Sequence, residues 1–570
     1  MKPLHTEGSD ARRDADLIVV GAGAGGMTAA LTAALHGLKV VLCEATDQVG
    51  GTTATSAGTI WVPGNRHGRL AGFDDTKELA RNYLDSLIGT EDEGGVRSAY
   101  LTTADEAISF LESNSEVKFV SAGKHPDYLP LPGAAESGRA LGPVEFDGRR
   151  LGRDFDRIRA PLPDFLVLGG MMAGKADIKA MINRYRSAHS FLHTAKLILR
   201  YGLDRLRYRR GTRLVMGNAL VARLYYSLCQ TGVEIRFNTT LRSLEKEGER
   251  VTGAIFHDEG SGLIRLSARA GVVLATGGIG HGACLRAALA PNALKFQSLV
   301  FERNRGDGIA AARQVGAHLD CHDDSFFWQP VSHVPTKGGD HRLFPHLYLD
   351  RTKPGVIAVD SLGERFVNEA ASYHHFVVAM LERNQTVPAV PGYFICDVRF
   401  IRKYGLGIIP PGTRSLKRYV NSGYIVIDQS LSGLAKKLNI SVGGLIASVE
   451  KNNAYAATGV DLDYGKGSFE LNRFNGDPEH HPNPCLGPIS KPPFCALLVW
   501  PADAASSSGL ATDDKGSVLG VGGVPIPGLY ACGNDMASIM KGGYPGPGTT
   551  IGPAMVFGYR IGLHAKQTLP

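Results

Sequence analysis

The sequence predicts an α/β protein in which a discontinuous, Rossmann-like domain carries an inserted α+β domain. A glycine-rich turn joins a buried strand to an alanine-rich helix in residues 17–35. Apolar strands that end in glycine turns recur in residues 271–282 and 526–535. The chain has 570 residues, which is more than one hydrophobic core usually serves. We therefore expect two domains, the first of them built from separated segments.

The composition is ordinary for a globular enzyme, except for glycine. Hydrophobic residues make up 43% of the chain and charged residues 21%, which are common values. The 71 glycines cluster in short loops beside apolar runs and do not repeat with a fixed period. Such loops are typical of a backbone that approaches a ligand closely.

The cysteines and the N-terminal residues bear on localisation. The eight cysteines are scattered without a CxxC pair, which predicts free thiols in a reducing, cytoplasmic compartment. Charges continue up to the first apolar run, so we expect neither a secretory signal nor, in the absence of a long apolar stretch, a membrane span. The neighbouring His480 and His481 lack the partner spacing of a metal site, and no metal is predicted.

Part of the net charge of +7 is concentrated between residues 184 and 213. Apolar residues recur there at nearly helical spacing. Two interpretations stay open: a solvated basic face on a domain helix, which is favoured, and peripheral contact with an anionic membrane surface. Nucleic acid is not expected, because aromatic residues do not alternate with the charges. The basic residues are Arg184, Arg186, Lys196, Arg200, Arg205, Arg207, Arg209, Arg210 and Arg213.

A dinucleotide motif opens the first domain. Gly21, Gly23 and Gly26 have G-x-G-x-x-G spacing between a strand and a helix, and the next strand ends at Glu44. Gly21 permits the tight turn, Gly23 lets the backbone approach a pyrophosphate, and Gly26 lets the helix and strand pack closely. Glu44 can accept hydrogen bonds from the hydroxyls of the adenosine ribose. The order of these features predicts a dinucleotide-binding site.

The segment 48–65, QVGGTTATSAGTIWVPGN, distinguishes flavin from nicotinamide. Its hydroxyls and open amides suit a ribityl chain and the edge of a flavin. Here the sequence resembles the fumarate reductase and succinate dehydrogenase flavoproteins, and more closely their 3-ketosteroid Δ1-dehydrogenase family, for which a GG-T/S-T-A-x-S-x-G-x-IWVP run is characteristic. Members that attach flavin covalently have a histidine near this point. The chain has Gly50, Gly51 and Thr52 instead, so the resemblance implies non-covalent FAD.

The predicted FAD contacts come from all the glycine-rich segments and from the start of the last helix. They are Gly21, Gly23, Gly25, Gly26, Glu44, Ala45, Gly50, Gly51, Thr52, Thr53, Ser56, Ala57, Gly58, Ala275, Thr276, Gly277, Gly278, Asp307, Gly533, Asn534 and Ile551. Residues 233–256 are predicted to form two strands of the same domain. Between about 330 and 500, prolines and aromatics become more frequent and no phosphate-type glycine loop occurs. We therefore assign 1–332 and 503–570 to the FAD-binding domain and 333–502 to a substrate domain, with the active cleft between them.

One tyrosine lies in a stiff loop before the last helix, in the stretch GGYPGPGTTIGPAMVFG of residues 542–558. Its prolines restrict the backbone. The amide of Gly548 is free and close to a helix N-terminus, and the phenol of Tyr544 can converge on the same point. Two such donors form a carbonyl site that strengthens as the oxygen gains enolate charge. A loop in which Tyr544 only packs against flavin is the alternative.

The resemblance assigns roles to three tyrosines. A Y-x-G-P-G-x-T-x-GPA run in the family carries the residues that hold the C3 carbonyl, matched here by Tyr544 and Gly548. The family's tyrosine base follows a G-x-RF-x-NE stretch and matches Tyr373, and a P-D-Y segment matches Tyr128. The implied reaction is 1,2-dehydrogenation of a 3-ketosteroid. In it the Tyr373 phenolate, supported by Tyr128, removes the C2 proton and a hydride leaves C1 for flavin N5. Such a base needs a lowered pKa, and we expect an alkaline rate optimum.

Two segments depart from the family pattern, PADAASSSGL at 501–510 and MKGG before Tyr544. Both are expected near the substrate, so the ketone, whether a steroid or a similar hydrophobic one, stays open. The alternatives are a ketosteroid dehydrogenase of other regiospecificity, a fumarate-reductase-like enzyme acting on a dicarboxylate, and a flavin-binding scaffold without turnover. The fumarate-reductase-like alternative would need a histidine where the chain has Ser506–Ser508. The expected electron acceptor is a quinone or a redox protein.

Overall fold

The computed structural model describes residues 14–293, 295–322 and 326–569. Its helices are α1 (Ala24–Leu35), α2 (Arg66–Leu70), α3 (Lys77–Ile88), α4 (Val96–Asn114), α5 (Lys175–Ile182), α6 (Ala188–Arg205), α7 (Met216–Thr231), α8 (Ala283–Leu289), α9 (Asp307–Gln314), α10 (Tyr373–Arg383), α11 (Val398–Tyr404), α12 (Lys417–Asn421), α13 (Leu431–Leu438), α14 (Val442–Thr458), α15 (Glu470–Asn475) and α16 (Ile551–Gln567).

The strands belong mainly to two large sheets. They are β1 (Ala15–Val20), β2 (Val40–Cys43), β3 (Ile60–Trp61), β4 (Phe119–Ser121), β5 (Ala140–Pro143), β6 (Phe146–Asp147), β7 (Leu166–Val167), β8 (Met171–Met172), β9 (Arg213–Leu214), β10 (Glu234–Arg236), β11 (Thr239–Glu247), β12 (Arg250–Asp258), β13 (Gly262–Leu274), β14 (Gln297–Ser298), β15 (Leu319–Asp320), β16 (Phe326–Pro335), β17 (His341–Pro345), β18 (Val356–Val359), β19 (Gly392–Asp397), β20 (Val426–Asp428), β21 (Phe494–Ser506), β22 (Gly509–Leu510), β23 (Ser517–Leu519) and β24 (Pro525–Ala531).

The first large sheet has eight strands, and its centre is parallel. Strands β10, β2, β1, β13 and β24 pair in parallel in that order. The long strand β13 also pairs with the antiparallel ribbon β12–β11. Strands β1 and β2 are buried along their whole length, as expected for a parallel sheet covered on both faces. The mixed α/β class and the discontinuous sheet are therefore confirmed.

Helices α1 and α16 lie together on this sheet, and glycines allow their close approach. A Cβ atom added at Gly558 would lie 2.6 Å from the carbonyl oxygen of Gly25, and one at Gly562 would lie 2.8 Å from the Thr32 side chain. The C-terminal helix thereby fixes the N-terminal βαβ unit. This contact joins two segments that are more than 500 residues apart in the chain.

Residues 233–256 form parts of three strands, not the predicted two. Asn238 has φ 53°, a left-handed conformation that interrupts the extended chain. Strand β10 before it pairs in parallel with β2, whereas β11 after it turns into the antiparallel ribbon. The periodicity of the segment did not reveal this break.

The second large sheet has seven strands, in the order β17-β16-β21-β19-β18 with β14 and β20 attached to β21. Helix α10 packs against β16. The predicted boundaries at 332/333 and 502/503 fall inside β16 and β21. The division into two domains stays a prediction. Among the described residues, no helix combines the length and apolar character that a membrane crossing requires.

Candidate active site

A cavity of about 1250 Å³ lies at the carboxyl ends of the parallel strands. The residues that follow β1, β2, β13 and β24 all contribute to its wall, namely Gly21, Glu44, Ala275 and Gly533. Ligands of open α/β sheets bind at this edge. The cavity continues from there to the second sheet, where Phe327 and Phe344 line it.

The glycine turn after β1 presents bare backbone to the cavity. Helix α1 begins after Gly23, which has no side chain to cap it. The Ala24 N–H donates to the Thr53 hydroxyl at 3.3 Å, and the next N–H groups, those of Gly25 and Gly26, are available to a ligand. A Cβ atom added at Gly23 would meet nothing within 4 Å, whereas one at Gly21 would lie 2.2 Å from the carbonyl oxygen of Ala275. A Cβ atom at Gly26 would lie 2.0 Å from the carbonyl oxygen of Gly21. Gly21 and Gly26 therefore permit packing, and Gly23 faces open space.

Glu44 lies at the end of β2 with its carboxylate almost fully buried. The Ala22 N–H donates to one carboxylate oxygen at 2.9 Å, and the Thr46 N–H donates to the other at 3.0 Å. Burial raises the pKa of Glu44, and these backbone hydrogen bonds oppose the rise. Among the described residues no cation pairs with this carboxylate, so its remaining acceptor capacity is directed at the cavity that it lines.

Most of the predicted FAD contacts line the cavity. They are Gly21, Gly23, Gly25, Glu44, Ala45, Gly51, Thr52, Thr53, Ser56, Ala57, Gly58, Ala275, Thr276, Gly277, Asp307, Gly533, Asn534 and Ile551. Three others lie behind the wall. Gly26 packs against Gly21, Gly50 against Val221, and the Gly278 N–H donates to the buried carboxylate of Asp535 at 2.9 Å.

Asp535 is a buried acid that the sequence did not single out. Its carboxylate accepts from the N–H and hydroxyl groups of Thr276 and from the N–H of Gly278. It thereby ties the turn after β13 to the turn after β24. The N-terminus of α1, the open space at Gly23 and the Glu44 carboxylate, which has no cation as partner among the described residues, together fit the pyrophosphate and ribose of FAD.

The three predicted tyrosines meet in the same cavity. Tyr128 lies in the loop after β4, Tyr373 is the first residue of α10, and Tyr544 lies in the loop before α16. The Tyr128 hydroxyl donates to the Tyr373 hydroxyl at 3.2 Å, and the Tyr373 hydroxyl donates to that of Tyr544 at 2.8 Å. All three rings are buried. The phenols therefore form one chain of hydrogen bonds that leaves the Tyr544 O–H to donate elsewhere.

Three buried hydrogen bonds hold Tyr128 and the Tyr544 loop together. Trp61, from the IWVP run, donates its indole N–H to Asp127 at 2.8 Å, which fixes the residue before Tyr128. The Tyr128 N–H and the Tyr83 hydroxyl both donate to the carbonyl oxygen of Pro545, each at 2.8 Å. Segments that are far apart in the chain are thus held in one geometry.

Gly548 presents its backbone to the cavity. Its φ is 90°, a conformation that favours glycine. A Cβ atom there would lie 2.5 Å from Cα of Ile60, so a larger residue would displace strand β3. Its carbonyl accepts from the Gly552 N–H at 3.0 Å, while its own N–H has no hydrogen-bond partner within the described ranges. This N–H is available to a ligand oxygen, as predicted.

The pKa of Tyr373 differs from the expectation. We predicted a lowered pKa for the base, but burial raises it above the ordinary value of a phenol, and the neighbouring Tyr348 adds to the rise. Hydrogen bonds from Tyr128 and Tyr544 to the ionised oxygen, and the charge of Arg351, act in the opposite direction. The predicted direction of the pKa shift was wrong, because an apolar cluster disfavours an anion.

Tyr348 and Arg351 were missed by sequence reasoning. The Tyr348 ring centre lies 6.0 Å from that of Tyr128 and 5.6 Å from that of Tyr373. Cζ of Arg351 lies 5.3 Å from the Tyr348 ring centre. Both residues lie between β17 and β18 in the run HLYLDR, which has no spacing that would have marked it. Within the described ranges, no group of three or more His, Cys, Asp or Glu is arranged to hold a metal.

Comparison with known proteins agrees with this geometry. The family model described as FAD binding domain matches residues 16–551. A 4-oxocyclohex-2-ene-1-carboxylate 5-dehydrogenase of Sinomonas cyclohexanicum is 38% identical, over 98% of the chain and 95% of the relative. A 3-oxosteroid 1-dehydrogenase of Mycobacterium tuberculosis is 35% identical, over 96% of the chain and 98% of the relative.

A solved structure is similar over nearly the whole chain. The 3-ketosteroid delta1-dehydrogenase from Sterolibacterium denitrificans, crystallised with 1,4-androstadiene-3,17-dione, superposes with a TM-score of 0.89 at 36% identity. The match covers 97% of this chain and 99% of that one. The chain therefore belongs to the FAD binding domain family of flavoproteins, in the group that contains the 3-ketosteroid Δ1-dehydrogenases.

Proposed function

We propose that this FAD-dependent oxidoreductase introduces the 1,2 double bond of a 3-ketosteroid. The observation that carries the proposal is the convergence of three hydrogen-bonded phenols and one unpartnered backbone N–H on a single cavity. Binding FAD requires none of these phenols, which argues against a scaffold without turnover. The relatives at 35–36% identity carry the same activity in their names.

The proposed steps use the phenols in sequence. The Tyr544 O–H and the Gly548 N–H donate to the ketone oxygen, which acidifies the neighbouring C2–H. The Tyr373 phenolate takes the C2 proton, and the Tyr128 O–H supports the phenolate by donating to it. Bound FAD supplies the acceptor for the hydride that leaves C1. Glu44 and the N-terminus of α1 would hold its ribose and pyrophosphate.

The walls beyond the tyrosines suit a hydrocarbon ring system. They are largely apolar, and a body of fused rings would gain from burial there. Apolar residues of the cavity lining include Leu162, Phe165, Leu166, Val167, Ala173, Leu347 and Ile408. A 3-ketosteroid matches this combination of one polar anchor and an apolar lining.

The experiment is anaerobic. Androstenedione is added to the FAD-loaded protein, and the flavin band at about 450 nm, a property of the cofactor, is followed while the product is identified by mass spectrometry and NMR. We expect bleaching and a 1,2-unsaturated product. If only a saturated ketosteroid reacts and gives a 4,5-unsaturated product, the enzyme has another regiospecificity. If only succinate bleaches the flavin, the enzyme acts on a dicarboxylate.

A second candidate substrate is a smaller ring ketone with a carboxylate. The 38% identical relative is named for such a compound. Arg418 lines the cavity and is exposed, and among the described residues it donates only to the Tyr419 hydroxyl. If 4-oxocyclohexanecarboxylate is the substrate, Arg418→Gln should raise the KM for this compound. The KM for androstenedione should stay unchanged. Equal effects on both ketones would exclude a carboxylate-binding role for Arg418.

We further propose that helices α5 and α6 rest on an anionic membrane surface. The sequence left this open beside the favoured interpretation of a solvated basic face. Seven apolar side chains of α5, α6 and the residues that flank them are more than half exposed: Ile182, Tyr185, Phe191, Leu192, Leu199, Leu203 and Leu206. Arg184, Lys196 and Arg207 are exposed beside them, and no carboxylate pairs with these three in the described chain. A patch of this composition is typical of interfacial helices.

This patch adjoins the cavity. Ile178 of α5 is exposed and also lines the cavity wall, so a water-insoluble ketone could enter directly from the bilayer, where a quinone acceptor would also be found. Cosedimentation with vesicles of phosphatidylglycerol and phosphatidylcholine tests this. We expect binding that Leu192→Glu/Leu199→Glu abolishes, with unchanged turnover of detergent-solubilised steroid. Failure to bind the vesicles would overturn the proposal, and an oligomeric parent whose variant is monomeric would assign the patch to a contact between protein copies.

A further inference from the structure

Arg351 is a buried cation beside the tyrosine cluster. Its side chain is fully buried. The guanidinium donates to the carbonyl oxygens of Glu369 and Ala371 at 2.6 and 2.7 Å, and to that of His346 at 3.1 Å. Nη2 has no hydrogen-bond partner within the described part of the chain. Burying a guanidinium with an unused hydrogen-bond donor costs folding free energy, so we expect this arrangement to have a functional role.

Among the described residues, no carboxylate forms an ion pair with this guanidinium. The carboxylate of Asp350 accepts from His346 at 2.6 Å and from the backbone N–H groups of Gly407 and Arg351. The carboxylate of Glu369 accepts from Arg365 and pairs with Lys466 at 3.2 Å. Both acids are thus held by groups other than the guanidinium of Arg351. The charge of Asp350 still raises the pKa of Arg351 without a hydrogen bond to the guanidinium, and the other groups that raise it are the phenols of the tyrosine cluster.

The phenols form a continuous path from the guanidinium to the proposed base. Arg351 lies over the ring of Tyr348, and Tyr348 packs against both Tyr128 and Tyr373. Burial lowers the pKa of Arg351 to about 10, with Tyr348 the largest opposing influence, and the guanidinium lowers the pKa of Tyr373. The carbonyl of Ala371 that Arg351 holds is two residues before Tyr373, at the start of α10.

We propose that Arg351 is the counter-ion of the Tyr373 phenolate, a positioning residue that makes the proton-abstracting form of this base available. The proposal rests on the proposed function for the identity of the base. On the side of the tyrosine cluster the guanidinium then faces neutral phenols, and ionisation of Tyr373 places an anion there. Such an arrangement favours the charged form of a base in a cluster that otherwise disfavours it.

The test compares Arg351→Met, Arg351→Gln and Arg351→Lys in FAD-loaded protein. The ionisation of Tyr373 is followed as the ultraviolet difference between each protein and its Tyr373→Phe version, and separately as the apparent pKa of kcat/KM. We expect Arg351→Met and Arg351→Gln to raise the pKa of Tyr373 and the apparent pKa of kcat/KM by about one pKa unit or more, as loss of a nearby opposite charge does. Arg351→Lys should raise them less, because it keeps a positive charge.

Arg365→Lys is the control, since Arg365 is also buried but has the carboxylates of Glu369 and Asp461 as partners. It should lower the melting temperature and leave both pKa values unchanged. If Arg351→Met does not bind FAD, Arg351→Gln, which keeps N–H donors for the carbonyls, carries the same expectation. Neutral variants that titrate like the parent would overturn the proposal. The ultraviolet titration needs no substrate, so it is decisive even if no ketone reduces the flavin.

Discussion

The dinucleotide end and the tyrosine end of the cavity are built in different ways. At the first end, Gly21, Gly23 and Glu44 come from one βαβ unit and act mainly through backbone N–H groups and one carboxylate. At the second, Tyr128, Tyr348, Tyr373 and Tyr544 come from four distant segments and act through side chains in an apolar cluster. One end is therefore set by local backbone geometry, and the other by tertiary packing.

Because of this difference, FAD affinity and the rate of the reaction should respond to substitutions at different ends of the cavity. Substitutions at the dinucleotide end should change how tightly FAD is held, with little effect on the reaction of the loaded protein. Substitutions of the phenols should leave FAD in place and slow the reaction, because the proposed mechanism has the phenols contact the substrate and not the nucleotide. The following changes test this separation, beginning with the largest expected effect.

Tyr373→Phe should slow anaerobic flavin reduction by about 10³-fold, because it removes the general base. The FAD content, read from the absorption spectrum, should equal that of the parent. Tyr404→Phe is the matched control, since its hydroxyl donates to Asp477 outside the cavity, and it should react at the parental rate. If Tyr373→Phe instead lost FAD, the two ends would not be separable.

The rate of flavin reduction should increase with pH across the neutral and alkaline range. In the proposed mechanism the active form of Tyr373 is the phenolate. Burial raises the pKa of Tyr373 above the ordinary value, so only a small fraction of the protein should be active near neutrality. Below that pKa the single-turnover rate should rise by about tenfold for each pH unit. A rate that is flat between pH 7 and 9 would mean that a group with a lower pKa removes the proton.

Gly23→Ala and Gly21→Ala should weaken FAD binding for different reasons. A methyl group at Gly23 points into open space, so the apoprotein should melt like the parent while FAD affinity falls by roughly 10- to 100-fold, through overlap with the pyrophosphate. A methyl group at Gly21 overlaps the Ala275 carbonyl, so the apoprotein itself should be destabilised. Normal FAD binding by Gly23→Ala would contradict the assigned pyrophosphate position.

Glu44→Gln should have the smallest effect, a loss of roughly tenfold in FAD affinity, because a charge-assisted hydrogen bond to the ribose becomes a neutral one. Isothermal titration of the apoprotein measures this. At saturating FAD the rate of flavin reduction should be unchanged. A slower reaction in the saturated variant would show that Glu44 also influences the substrate end.

The same contrast explains what the sequence could predict. The glycine turn and Glu44 were predictable because their geometry depends on fewer than 30 consecutive residues. The three tyrosines were found because each lies in its own family motif, although nothing local shows that their hydroxyls meet. Tyr348 and Arg351 lie in a run without a motif, and their contacts exist only once β17 and β18 have joined the second sheet.

Two other features depended on tertiary structure. Because of the break at Asn238, β10 and β11 pair with different strands. The hydrophobic periodicity of a sequence does not reveal a single residue in the left-handed conformation. The spacing of Phe191, Leu192 and Leu199 predicted an amphipathic helix, and α6 is present. Whether its apolar face is covered depends on the neighbours that the fold provides, and here it is exposed.

The most direct measurement is a single-turnover comparison of Tyr544→Phe with its parent, using androstenedione and FAD-loaded protein without oxygen. If the Tyr544 hydroxyl and the Gly548 N–H hold the ketone oxygen, loss of the hydroxyl should slow flavin reduction by about 10²-fold, as loss of one oxyanion donor does. The flavin spectrum should stay unchanged. A Tyr544→Phe variant that forms the unsaturated ketone as fast as its parent would contradict the account.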